Sequence, residues 1–164
     1  MYNYMNNNFI KVILSIFLSI NIASNVHATE PKNIHGIMVY EVESSFEFVR
    51  DDLVRAIKQR GMVISYIAHA KDMLDRTADA VNTKTPAYRT GAEIVLFCKS
   101  DISHKLTQAN PHYIALCPYS ISIYDIQDDN EKVFLSYRKP PADIKEYVAI
   151  ENLLREIIEE VIEQ

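Results

Sequence analysis

Residues 114–138 read IALCPYSISIYDIQDDNEKVFLSYR, and this stretch decides the fold. Tyr119, Ile121, Ile123 and Asp125 fall on one parity, and Ser120, Ser122 and Tyr124 on the other. A period of two is the mark of a strand with one buried face. Asp128-Asp129-Asn130 supplies short polar side chains that bond back to their own backbone in a turn, and residues 132–138 return as a partner strand. The expectation is an antiparallel hairpin late in the chain, with its first strand running over residues 114–126.

Toward the C-terminus, Pro140 and Pro141 break the chain, and Asp143 with Glu146 three residues on predicts a helix start. Ile150, Leu153, Leu154, Ile157, Ile158 and Val161 then recur as an apolar stripe, which a sheet or a second chain must cover. Toward the N-terminus, residues 92–99 are nearly all apolar and predict a strand buried on both faces or at the sheet centre. Residues 100–110 predict a short helix stopped by Pro111, and residues 82–90 a loop broken by Pro86. Residues 71–81 predict a short helix with Met73, Leu74 and Ala78 inward. Strands are predicted over residues 62–68 and 37–42. Between them Ser44-Ser45-Phe46-Glu47 fits a capping box. Phe46, Val49, Leu53, Val54 and Ile57 follow at helical spacing, and Gly61 is placed to end the helix in a left-handed conformation. Residues 29–35 are polar, contain Pro31 and predict a short arm.

Strands and helices in this order, with a hairpin and a long closing helix at the end, predict one α+β domain over residues 29–164. A doubly wound sheet would alternate more regularly and open on a glycine-rich turn. Gly36, Gly61 and Gly91 are the three glycines, and their spacing makes no phosphate-cradling loop.

Residues 1–28 read as a secretion signal. Val12 to Ile22 is an apolar run, and Val26 and Ala28 occupy the −3 and −1 places of a small-residue cleavage site. The run is shorter than the roughly 20 residues of a membrane span; the alternative is an uncleaved anchor. The expected location is the periplasm. Lys11 is the only charge of the leader, so its removal leaves 16 of the 17 basic residues against 22 acidic ones, a net of −6. That balance, with no basic run, argues against nucleic acid as a partner.

An exported domain with two cysteines is expected to pair them, here Cys98 and Cys117 at the ends of consecutive strands. The alternatives are two free thiols, or a redox-active or ligand-attaching pair; a C-x-x-C motif is absent. Cys98, His104, His112 and Cys117 lie within 20 residues and are all ligands that zinc, copper or haem iron accept, at a spacing that matches no standard structural zinc pattern. No metal or haem is required by the rest of the sequence. Arg89 beside Tyr88 is a candidate anion binder, with an ion pair as the plainer reading. Glu93 and Asp101 have plain readings as an edge carboxylate and a helix cap, and Ser120 and Ser122 lack the turn that makes a serine nucleophilic.

These residues also carry a resemblance. Ser45-Phe46, Arg60-Gly61-Met62-Val63, Pro86-Ala87-Tyr88-Arg89, Leu96-Phe97-Cys98-Lys99, Ala109-Asn110-Pro111, Ala115-Leu116-Cys117-Pro118-Tyr119 and Tyr124-Asp125 follow one another as in the bacterial domain-of-unknown-function family 302. The chain resembles that family over residues 37–141. Phe97 before the first cysteine and Cys117-Pro118-Tyr119 depart from its usual pattern in the manner of an exported subgroup. The resemblance implies a TATA-binding-protein-like α+β fold, with a curved, mainly antiparallel sheet, a long helix in the N-terminal half and a closing helix. It implies a homodimer and supplies no activity. Tyr88, Arg89 and Tyr119 lie within the resembling segments as ligand-binding candidates. The expected function is a non-enzymatic exported binding or assembly module. The second reading is an envelope redox protein that uses Cys98 and Cys117 with thiol, metal or haem chemistry.

Overall fold

A computed structural model describes residues 30–83, 88–129, 132–139 and 143–164. The leader, Pro86, Asn130 and the Pro140-Pro141 break lie outside the described residues.

The late hairpin forms as its alternation requires. Strand β5 (Tyr119–Ile126) buries every second residue, Tyr119, Ile121, Ile123 and Asp125, and turns into β6 (Lys132–Arg138) with Ile123 opposite Leu135. On one side β6 pairs with β2 (Ile37–Glu43), and on the other β5 pairs with β4 (Tyr88–Cys98). Two further strands, β1 (Lys32–Ile34) and β3 (Val63–His69), lie at the edges of a six-stranded sheet of order β1-β2-β6-β5-β4-β3, antiparallel throughout. The molecule is therefore of the α+β class.

Helices α1 (Phe46–Gln59) and α4 (Val148–Ile162) cover one face. Phe46, Val49, Leu53, Ala56 and Ile57 meet the stripe of α4, all six of whose predicted residues are buried, over Val95, Phe97, Ile121, Ile123 and Leu135 of the sheet. Each such aliphatic side chain contributes about 1.5–3 kcal/mol by leaving water. Gly61 takes φ +72°, and the amides of Gly61 and Met62 reach back to Lys58 and Ile57 carbonyls, closing α1 in a Schellman motif.

Several boundaries differ from expectation for local reasons. Ser45, not Ser44, caps α1, its hydroxyl accepting from the Phe48 amide at 3.3 Å. The polar arm is instead half of a hairpin: His35 and Gly36 have φ of +49° and +86°, the two positive angles of a type I′ turn. Residues 114–116 are not strand. Pro111–Leu116 winds as a 3-10 segment whose start is capped by the Asn110 side chain accepting from the His112 amide at 3.0 Å. Asp143 does not cap the last helix, because a 3-10 turn at Lys145–Tyr147 precedes it and buries Tyr147. Helix α2 (Ala70–Thr77) buries none of its residues; Met73 and Leu74 stay exposed, and only Ala78 beyond its end is inward. Strand β4 is not buried on both faces, since Ile94 and Leu96 are only half-buried on the side away from α1 and α4.

The two sheet edges are unlike. Strand β1 has three residues and includes Lys32, which bridges to Glu41. Strand β3 has seven, VISYIAH, with no acidic residue, lysine, arginine or proline, and exposes Val63 and Tyr66.

Candidate functional site

The register Phe97 opposite Tyr119 brings the end of β4 and the start of β5 together, and with them the two cysteines. Cys98 and Cys117 are both free thiols and half-buried, so the expected disulfide is not formed in this structure. The two thiols are neighbours, and Cys98 also lies near Ser103 and Tyr119. Helix α3 (Ser100–Ala109) follows β4 directly and turns Ser103 back over this point. Cys117 Sγ lies 3.7 Å from Ser103 Oγ, which in turn is 2.7 Å from Tyr119 Oη. Burial pushes the Cys98 thiol above its ordinary value, and the neighbouring Cys117 adds to the effect. Burial raises Tyr119 above the usual phenol range against the Ser103 hydrogen bond, with both cysteines contributing to the rise. The Ser103 hydroxyl thus joins the Cys117 thiol to the Tyr119 phenol.

Tyr119 also lines a cavity of about 270 Å³. Leu116, Pro118, Tyr119, Tyr147 and Leu154 make its apolar wall, and Ser120, Arg138 and Lys139 its polar one. Lys139 is held 3.2 Å from Glu151. Arg138, the exposed last residue of β6, has no carboxylate partner among the described residues. Burial raises Tyr147, the nearby Cys117 adds to the rise, and Arg138 opposes it.

The remaining candidates lie elsewhere. His104 and His112 are exposed, and among the described residues no three His, Cys, Asp or Glu side chains come together as a metal site. His104 follows Ser103, so the turn of the helix that points Ser103 at the thiols points His104 away. The four-residue set Cys98, His104, His112 and Cys117 therefore does not assemble. Tyr88 and Arg89 sit at the opposite end of β4. Arg89 is 3.1 Å from Asp125, which is fully buried and whose Oδ1 accepts from the Thr90 and Gly91 amides at 2.8 and 3.0 Å. Burial works to raise Asp125, but these donors and Arg89 outweigh it and hold the carboxyl below its ordinary value. The Tyr88 ring packs edge-on against Tyr124, which stacks on Phe134. A hollow of about 510 Å³ beside Arg89 is shared with Glu43 and Glu47, so it holds more negative than positive charge. Glu93 is engaged as well, at 3.1 Å from both Arg50 and His69.

Of the ligand candidates, the structure brings Tyr119 together with the cysteines and leaves Tyr88 and Arg89 in an ion-paired corner. Ser103, Arg138 and Tyr147 went unread in the sequence. They come from three other elements, and no local pattern marks them.

The family model described as Domain of unknown function DUF302 matches residues 38–164. A solved structure, "Crystal structure of uncharacterized conserved protein DUF302 from Bacillus stearothermophilus", superposes with a TM-score of 0.62 at 14% identity, covering 78% of this chain and 99% of that one. At that identity the likeness concerns the fold alone. A comparison with curated proteins finds none that matches. With its family model spanning both cysteines, the sheet and the closing helix, the chain belongs to the family Domain of unknown function DUF302.

Proposed function

We propose that the protein is a binding module for a small organic anion, seated in the cavity between the 111–116 segment, the start of β5, the end of β6 and α4. One observation carries this reading: Arg138, free of a carboxylate partner among the described residues, stands at the rim of a hollow whose wall is Leu116, Tyr119, Tyr147 and Leu154. Small-ligand sites combine an apolar wall with a few placed polar groups in this way. No histidine or carboxylate contacts the Ser103–Tyr119–thiol cluster among the described residues, so a binding role fits better than a hydrolytic one. The probe is 1-anilinonaphthalene-8-sulfonate, an aromatic anion that fluoresces when sheltered from water. Saturable one-site binding is expected, weakened tenfold or more by Arg138→Glu. Absence of saturation, or binding indifferent to Arg138→Glu, contradicts the reading.

The module is proposed to act outside the cytoplasm, on the strength of the leader at residues 1–28, and as a homodimer. Mass spectrometry of the chain recovered from periplasm should give a terminus at Thr29. The long uncharged edge β3 supports the dimer, because exposed edge strands without charges invite pairing. Light scattering should give twice the chain mass, returning to one chain mass on Tyr66→Lys. A monomeric wild type contradicts the dimer.

A further inference from the structure

We infer that Cys98 and Cys117 are a reversible thiol–disulfide pair whose closure retunes the cavity; the second half of this statement rests on the binding site proposed above. Adjacent strands lie about 4.8 Å apart. Cys98 follows Phe97 of the registered pair Phe97–Tyr119, and Cys117 stands two residues before Tyr119, just ahead of β5. A one-residue offset across adjacent strands is compatible with the roughly 4.4–6.8 Å of Cα separation that a disulfide spans, and the Cys117 thiol lies 3.7 Å from the hydroxyl of Ser103, on the helix that follows Cys98. Burial makes a thiolate costly at Cys98, whereas a disulfide is neutral. The surroundings therefore favour a covalent bond over a charged, permanently activated thiol.

The oxidant is a low-molecular-weight or protein disulfide. The Cys117 thiolate, having lost its proton to solvent, attacks one sulfur and expels the other as a thiolate. The Cys98 thiol then gives up its proton and displaces the second thiolate from the mixed disulfide. Two protein thiols are oxidised, one disulfide is reduced, and the two thiolates released take up the two protons.

Coupling to the cavity follows from connectivity. Leu116 and Pro118, which flank Cys117, are both cavity wall, as is Tyr119. Ser103 now serves Cys117 and the Tyr119 hydroxyl together. When Cys117 Sγ commits to Cys98 it gives up its proton and with it the donor it offers Ser103. The wall from Leu116 to Tyr119 becomes tied to the end of β4.

The test equilibrates the full chain in reduced and oxidised glutathione, then counts alkylatable thiols by mass spectrometry. The count is expected to fall from two to zero per chain without dimer-linked species, and to return with reductant. Cys98→Ser and Cys117→Ser should each abolish the change. Hydrogen exchange over residues 111–120 is expected to slow at least fivefold on oxidation, a readout that does not depend on any ligand. The affinity for 1-anilinonaphthalene-8-sulfonate is expected to change at least fivefold between the two states. Two alkylatable thiols in excess oxidised glutathione overturn the pair. A disulfide that leaves exchange unchanged overturns the coupling, whatever the dye does. A disulfide that slows exchange while dye binding remains indifferent to Arg138→Glu overturns the binding site and leaves the coupled switch standing.

Discussion

The two ends of the β4–β5 pair are built from opposite materials. At the Asp125 end the buried charge is matched: the carboxylate takes two backbone amides and faces Arg89, and Gly91 lets the Phe46 ring lie against the backbone. The bulge lies between Tyr88 and Ala92, where the Thr90 and Gly91 amides bond the Asp125 side chain rather than the β5 backbone. At the Tyr119 end Tyr119 and Cys117 share the Ser103 hydroxyl and border an open space whose Arg138 has no carboxylate partner among the described residues. The first end uses chemistry-bearing residues to hold the sheet together; the second leaves them free to meet something else. An arginine in a sequence motif is thus weak evidence of a ligand until its counter-charge has been located.

Breaking the first end should cost most. Asp125→Ala leaves the Thr90 and Gly91 amides without their acceptor, and a loss of about 3 kcal/mol is expected in urea denaturation, since a buried donor left unsatisfied costs about 1–3 kcal/mol. A loss below about 1 kcal/mol would make the two ends equivalent. Next comes Gly91→Ala, whose Cβ would stand 2.3 Å from the buried Phe46 ring; overpacking of this kind costs about 1–3 kcal/mol. Adding Phe46→Leu should recover part of that loss, and failure to do so would place the strain elsewhere. The smallest change in stability is expected at the second end. Tyr119→Phe removes one hydrogen bond to Ser103 and should cost about 1 kcal/mol, while altering binding of the aromatic anion more than Asp125→Ala does.

The ends should also govern opposite limbs of the pH–stability curve. Asp125 is held below its ordinary value of 3.8, so its contribution is complete above that value and disappears as pH falls through the folded one. Tyr119 and Cys98 are raised above 10.0 and 9.0, so their contribution is complete below those values and is lost as pH climbs toward the folded ones. Asp125→Ala should flatten the acid limb and Tyr119→Phe the alkaline limb. The reverse pattern would remove the contrast.

Regular elements were legible because their periods are strong. The alternation of 119–126, the stripe of α4 and the glycine that ends α1 each report a backbone geometry directly. Irregular pieces were not. Ile114 to Leu116 is apolar and runs on toward β5, yet Asn110 and Pro111 wind the segment first. β1 is too short and polar to show a pattern, and its turn uses a histidine where glycine or asparagine is the usual signal. Of the candidate site, Cys98, Cys117 and Tyr119 were legible because β4 and β5 are sequence neighbours and Cys117 stands just ahead of β5. Ser103 depends on the angle at which α3 leaves β4, and Arg138 and Tyr147 on the hairpin's far strand and the chain beyond it. None of these follows from spacing along the chain.

The unequal edges of the sheet carry a stoichiometric consequence. In polymer terms a subunit with two joinable ends grows into a filament, and a subunit with one is a chain stopper. With β1 cut to three residues that include a lysine, and β3 left seven residues long without acid, lysine or arginine, β3 is the joinable end among the described residues. The proposed pairing through it would use up that end on both copies, so addition would stop at two.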